Sequence, residues 1–144
     1  MAQLKSLTID GHPMVDFILE QGTETNTITG VQYSSSSSSG TATSGNVTWY
    51  WEKWNSGKVI CYGEITINDT TTAGQSNSLT ADLPSGLFVS RLRPVCSMSD
   101  WTIDNIYENP VPNKLSQLRL AYFARAAAAD IEHTFTVIIY GKWK

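Results

Sequence analysis

Five residues in one short segment carry the side chains best suited to hold or act on a ligand: Asp100, Trp101, Asp104, Tyr107 and Glu108. Paired carboxylates can hydrolyse a glycosidic bond, one as general acid and the other as base or nucleophile. Asp100 with Asp104, and Asp104 with Glu108, are the two candidate pairs. Trp101 and Tyr107 beside them offer rings on which a sugar can stack. The same acidic stretch also reads as a solvated, turn-forming loop. The expectation is therefore a ligand-contacting loop on a chain that is not an enzyme.

The remaining reactive residues are sparse. His12 precedes a proline in a turn, and His133 opens an apolar strand run; neither has a nucleophile partner in the sequence. Cys61 and Cys96 form no CxxC pair and no Cys/His cluster, so no zinc site is expected. They are read as small buried apolar residues, with a disulfide between them left open. Asn68-Asp69-Thr70-Thr71-Thr72 has oxygens but one carboxylate, too few for a Ca²⁺ loop. Phosphate-loop, GxSxG and HExxH patterns are absent. No cofactor and no metal are expected.

Charge narrows the partners. The chain of 144 residues has a formal net charge of −3 and no Lys/Arg cluster, so a nucleic-acid partner is not expected. No apolar run approaches the roughly 20 residues a membrane helix needs, and the first residues lack an apolar leader region. Neither membrane insertion nor secretion through a leader is expected.

The elements that would position these residues are strands. Short apolar-alternating runs rich in Thr, Tyr, Trp and Ile recur between Gly, Asn, Ser and Pro turn signals. A weak strand spans Leu4–Ile9 and ends at Asp10-Gly11; a second covers Val15–Glu20. Residues 23–45, with six serines at Ser34–Ser39, read as a flexible Ser-rich loop. Val47–Trp54 and Lys58–Ile67 flank Asn55-Ser56-Gly57 and read as a hairpin. Trp49, Trp51 and Lys53 share one face of it; Tyr50, Glu52 and Trp54 share the other. With aromatics on both faces, the hairpin is expected to be covered on both sides. Residues 68–78 read as a polar loop. Strands follow at Leu79–Leu83, at Leu87–Met98 with a bend at Pro94, and at Trp101–Ile106. Leu115–Ala129 fits a helical stripe and also a strand alternation; the strand is preferred. It would pair through an Ala126–Asp130 hairpin loop with the final run, in which Phe135, Val137 and Ile139 share a face. The domain organisation expected is a lead-in, 1–14, and one β domain, 15–144.

Two stretches resemble a known family. Trp51-Glu52-Lys53-Trp54-Asn55-Ser56-Gly57, continuing to Cys61-Tyr62-Gly63, is similar to the aromatic hairpin of C-terminal domains in phage tail and minor structural proteins from Gram-positive hosts. Val15–Gly22 resembles the lead-in to that hairpin, and Ile139–Lys144 resembles the end of those domains. The resemblance spans about residues 15–144 and carries no catalytic residues with it. It implies an all-β fold, an antiparallel β-sandwich of jelly-roll-like form, assembling as a homotrimer. It also implies a virion component, a tail-fibre or tail-tip domain that binds carbohydrate on the host surface beside other virion proteins. Two alternatives stay open: a head-fibre or capsid decoration protein without a host ligand, and a glycan depolymerase resting on Asp100–Glu108.

Overall fold

The computed structural model describes residues 6–13, 15–33, 45–71, 73–98, 101–109 and 111–144. Leu4, the Ser34–Ser39 tract and Asp100 lie outside the described residues. Eleven strands make up the regular structure, with no helix among the described residues. Two of them, β1 (Thr8–Ile9) and β2 (His12–Pro13), form a small ribbon around a turn at Asp10 and Gly11.

The other nine join one antiparallel sheet. They are β3 (Ile18–Tyr33), β4 (Gly45–Trp54), β5 (Lys58–Thr71), β6 (Ser76–Asp82), β7 (Ser90–Arg91), β8 (Val95–Met98), β9 (Ile103–Asn109), β10 (Gln117–Ala124) and β11 (Ala128–Lys142). The order is β7-β11-β5-β4-β3-β6-β10-β9, with β8 also paired to β11. The all-β, antiparallel expectation holds, and the strands run through one curled sheet.

Curling follows from side-chain alternation. One face of β4, β5, β10 and β11 is apolar and must leave water, and a single sheet has no second layer to cover that face. The sheet bends until its own wings cover each other. Trp49, Cys61, Ile65, Phe135, Val137 and Ile139 of one wing share a core cluster with Leu79, Leu118, Leu120 and Tyr122 of the other. The ring of Tyr122 on β10 lies 5.3 Å from Phe135 and 5.9 Å from His133 on β11. At the seam, where β7 and β9 approach without pairing, Arg91 and Glu108 form a 2.5 Å ion pair whose side chains are 2% and 13% exposed.

Several expectations change. Residues 23–33 belong to β3 and are not part of a loop; Thr23, Thr25, Thr27 and Thr29 supply a β-branched alternation that apolar counting misses. β5 extends to Thr71 and β6 begins at Ser76, so the 68–78 loop shrinks to its middle. The ambiguous segment is strand β10, but it does not form a hairpin with β11. β10 pairs with β6 and β9, whereas β11 pairs with β5, β7 and β8. The three residues between them form an arch across the core. Arg125 N and Ala126 N donate to Thr102 O, and Thr71 Oγ1 donates to Ala126 O.

The expected β4–β5 hairpin is present, pairing Lys53 with Val59 through to Val47 with Ile65, with Gly57 at φ +96° closing the turn. Its inner face is packed against the core. Trp49 is fully buried and its indole N–H donates to Asp82 O at 2.8 Å. Two strand glycines make room for the large rings: a side chain at Gly63 would collide with Trp49, and one at Gly22 would collide with Trp51. The outer face is not covered by any other described element of the same chain.

Candidate functional site

Four of the five sequence-selected residues are described, and β9 disperses them. Asp104 Oδ1 stands 3.4 Å from Arg125 Nη1, an ion pair with both side chains open to water. Glu108 faces inward and is held by Arg91. Four residues of extended strand separate these two by about 13 Å along the chain. Carboxyl groups that cleave glycosides stand roughly 5–9.5 Å apart and share one substrate. Here each carboxylate faces a different guanidinium. Tyr107 and Trp101 are exposed. Trp101 is fixed by its backbone, its carbonyl accepting from Arg125 Nε at 3.2 Å and Nη2 at 2.9 Å.

The other wing holds a more concentrated aromatic surface. On the outer face of β4, β5 and β11 the register builds rows of side chains. Tyr50 lies opposite Tyr62, Tyr62 opposite Ile138, and Ile138 opposite Val95 of β8. In the next row Glu52 lies opposite Ile60, and Ile60 opposite Tyr140. Tyr50, Tyr62 and Tyr140 are 45%, 43% and 41% exposed. Tyr50 and Tyr62 stack, with centroids 5.6 Å apart and planes 20° from parallel. Leu92 borders Tyr140, its N–H donating to the Tyr140 carbonyl, and its side chain is exposed, as is that of Val95. At the β3 side a shallow cleft of about 290 Å³ is lined by Gln21, Thr23, Glu52 and the two stacked tyrosines. Rings, a carboxylate, an amide and hydroxyls therefore converge on one sheet face, and nothing among the described residues covers it.

The sequence expects the aromatics of this hairpin face to be covered, yet singles out none of them as ligand-contacting, although their pairing can be counted from the turn. A turn at Asn55–Gly57 pairs Lys53 with Val59, and three positions further from the turn on each strand Tyr50 lies against Tyr62.

The residues carrying the family resemblance have structural work. Asn55 Oδ1 accepts from Phe17 N at 2.9 Å, and Asn55 N donates to Phe17 O at 3.0 Å. Lys58 lies 3.5 Å from Asp16 and sits 4.0 Å over the Trp54 ring. Trp143 donates its indole N–H to Trp54 O and its backbone N–H to Gly57 O. Lead-in, hairpin turn and C-terminal strand are thereby clasped together by Asn55, Trp54 and Trp143, whereas Tyr62 and Tyr140 of the same segments stay exposed.

Both thiols are free. Each faces β11 from opposite sides, Cys61 opposite Ile139 and Cys96 opposite Val137. Two strand spacings put their backbones about 10 Å apart, beyond disulfide reach. Burial, reinforced by the charge of Glu24, pushes the Cys61 thiol up to about 12. Burial and the charge of Glu108 push Cys96 up to about 11. Neither is a nucleophile near neutral pH. Among the described residues no three His, Cys, Asp or Glu side chains cluster as a metal site would require, and no helix is long and apolar enough to cross a membrane. No family model, curated protein or solved structure matches the chain.

Proposed function

We propose that this protein is a non-catalytic binding module whose docking surface is the tyrosine face of β4, β5 and β11. The observation that carries the reading is the exposed group of Tyr50, Tyr62 and Tyr140, set in two neighbouring rows of one sheet face. Large exposed apolar patches on soluble proteins mark interaction sites. Tyrosine suits them because its ring packs while its hydroxyl stays hydrogen-bonded. Carbohydrate fits this chemistry: ring faces take the apolar side of a sugar, and Glu52, Gln21 and the hydroxyls take its OH groups. Taken with the resemblance, the setting is a phage tail fibre or tail tip and the ligand a host-surface glycan. The jelly-roll-like sandwich and the homotrimer of those domains belong to the same proposal. Three copies would add avidity of about 10²–10⁴ to weak sites.

A second reading has its own support. Val95 and Leu92 extend the patch with aliphatic side chains, which suit a protein surface better than a sugar. In that reading the face is buried between copies of a virion structural protein without a host ligand.

One pair of measurements separates them. Glycan-array binding and sedimentation are compared for the wild type and Tyr62→Ala. Loss of glycan binding with unchanged mass supports the ligand reading. Loss of assembly without any glycan signal supports the interface reading. A variant that changes neither removes the tyrosine face from both.

A further inference from the structure

A different part of the surface has ionic chemistry that the tyrosine face lacks. Beside the seam, a cleft of about 220 Å³ is lined by Arg91, Leu92, Arg93, Glu108, Val111 and Lys114. Three of the chain's ten Lys and Arg residues meet there, on a protein whose net charge is −3. Glu108 is the single carboxylate of the lining, and it is already matched by Arg91. Arg93 and Lys114 are exposed and pair with no carboxylate among the described residues. The lining therefore carries two positive charges without internal compensation.

The cleft is also held in shape. The buried Arg91 guanidinium donates to the carbonyls of Lys114, Leu92 and Gln117 as well as to Glu108. One side chain thus ties the backbone carrying Leu92 and Arg93 to the backbone carrying Lys114. Preorganised walls reduce the ordering cost of binding. Arg93 brings a planar fork suited to an oxyanion and Lys114 a point charge.

We propose that this cleft is a binding site for a single dianionic group, a phosphate in preference to a carboxylate. Two uncompensated cations match a phosphate monoester, which carries about −1.5 to −2 at pH 7. A carboxylate supplies one charge and leaves the other cation unmatched. The site adjoins the tyrosine face at Leu92, but its cations, Arg93 and Lys114, are not part of that face.

Amide chemical-shift titrations of the folded protein with inorganic phosphate and with acetate, at constant ionic strength and pH 7.5, test it. Phosphate is expected to give saturable shifts centred on Leu92, Arg93, Val111 and Lys114, with acetate clearly weaker. The double variant Arg93→Gln/Lys114→Gln, which alters exposed side chains only, should bind phosphate about tenfold more weakly or not at all. Arg119→Gln on the outer face of β10 should bind as the wild type does. Shifts spread over all cationic residues, or unchanged binding by the double variant, would overturn the site. Acetate binding as tightly as phosphate would overturn the preference for a dianion. Should the double variant fail to fold, Lys114→Gln and the wild-type shift map decide between these outcomes.

Discussion

The end of β9 and the tyrosine face of β4, β5 and β11 make opposite uses of their side chains. β9 holds residues with obvious chemical potential, two carboxylates beside aromatic rings. Yet Asp104 is engaged by Arg125, and Glu108 by a guanidinium that closes the seam of the sheet. The tyrosine face holds nothing that looks catalytic, but its rings stay exposed, Tyr50 and Tyr62 stacked on each other and Tyr140 beside them. Reactive residue types mark function only when the fold leaves them free. A curled sheet that does not close by strand pairing uses its charged residues at the seam, and its unoccupied surface lies on the outer faces of the central strands.

The largest expected effect breaks the first half of that contrast. Arg91→Met leaves Glu108 buried without its partner and should cost about 3–5 kcal/mol in urea unfolding. A cost below about 1 kcal/mol would mean that the seam pair is solvated and that Glu108 is available for other chemistry. Next comes Gly22→Ala. Its methyl would meet the Trp51 ring at 2.2 Å, so Trp51 must leave its place over β3. Such overpacking costs about 1–3 kcal/mol. A smaller loss would show that the packing of Trp51 behind the tyrosine face adapts to the added methyl.

Tyr62→Ala should change stability by about 0.2–1 kcal/mol, the value of a cross-strand pair on an open face, while binding falls sharply. Asp104→Asn on the other wing should do neither, since an exposed ion pair is worth about 0–1 kcal/mol. The smallest effect concerns the thiols. Cys61 should resist a disulfide reagent at pH 8 in the folded protein and react at once in denaturant. Because burial raises its pKa from 9.0 to about 12, the unfolded thiol ionises first. That contribution to stability is complete below pH 9 and declines as pH rises toward 12. Removing the thiol in Cys61→Val should flatten this alkaline decline.

Local patterns were legible in the sequence; long-range ones were not. Asn55-Ser56-Gly57 specified the hairpin turn and its register, because the turn residues and the alternating aromatics act over a few positions. The Thr-rich half of β3 reads as loop by apolar counting because its alternation is β-branched and not apolar, and its pairing to β4 and β6 comes from distant residues. β10 and β11 were expected to be hairpin partners because they are adjacent in sequence. Tyr122, His133 and Phe135 instead meet across the core, a contact that depends on the curl of the whole sheet. The site suffered the same limit. Asp104 and Glu108 lie close in sequence, while the arginines that occupy them come from β7 and from the arch after β10.

The central claim is that the tyrosine face is where this protein binds. The direct measurement is binding of wild type, Tyr62→Ala/Tyr140→Ala and Trp101→Ala/Tyr107→Ala to one immobilised polysaccharide panel, with thermal unfolding recorded for each. Removing the tyrosines from β5 and β11 should weaken binding about tenfold or more, equivalent to at least about 1.4 kcal/mol, without a comparable loss of stability. The β9 variant should bind as the wild type does. Retained binding by the Tyr62/Tyr140 variant, together with its loss in the Trp101/Tyr107 variant, would contradict the account and return the site to β9.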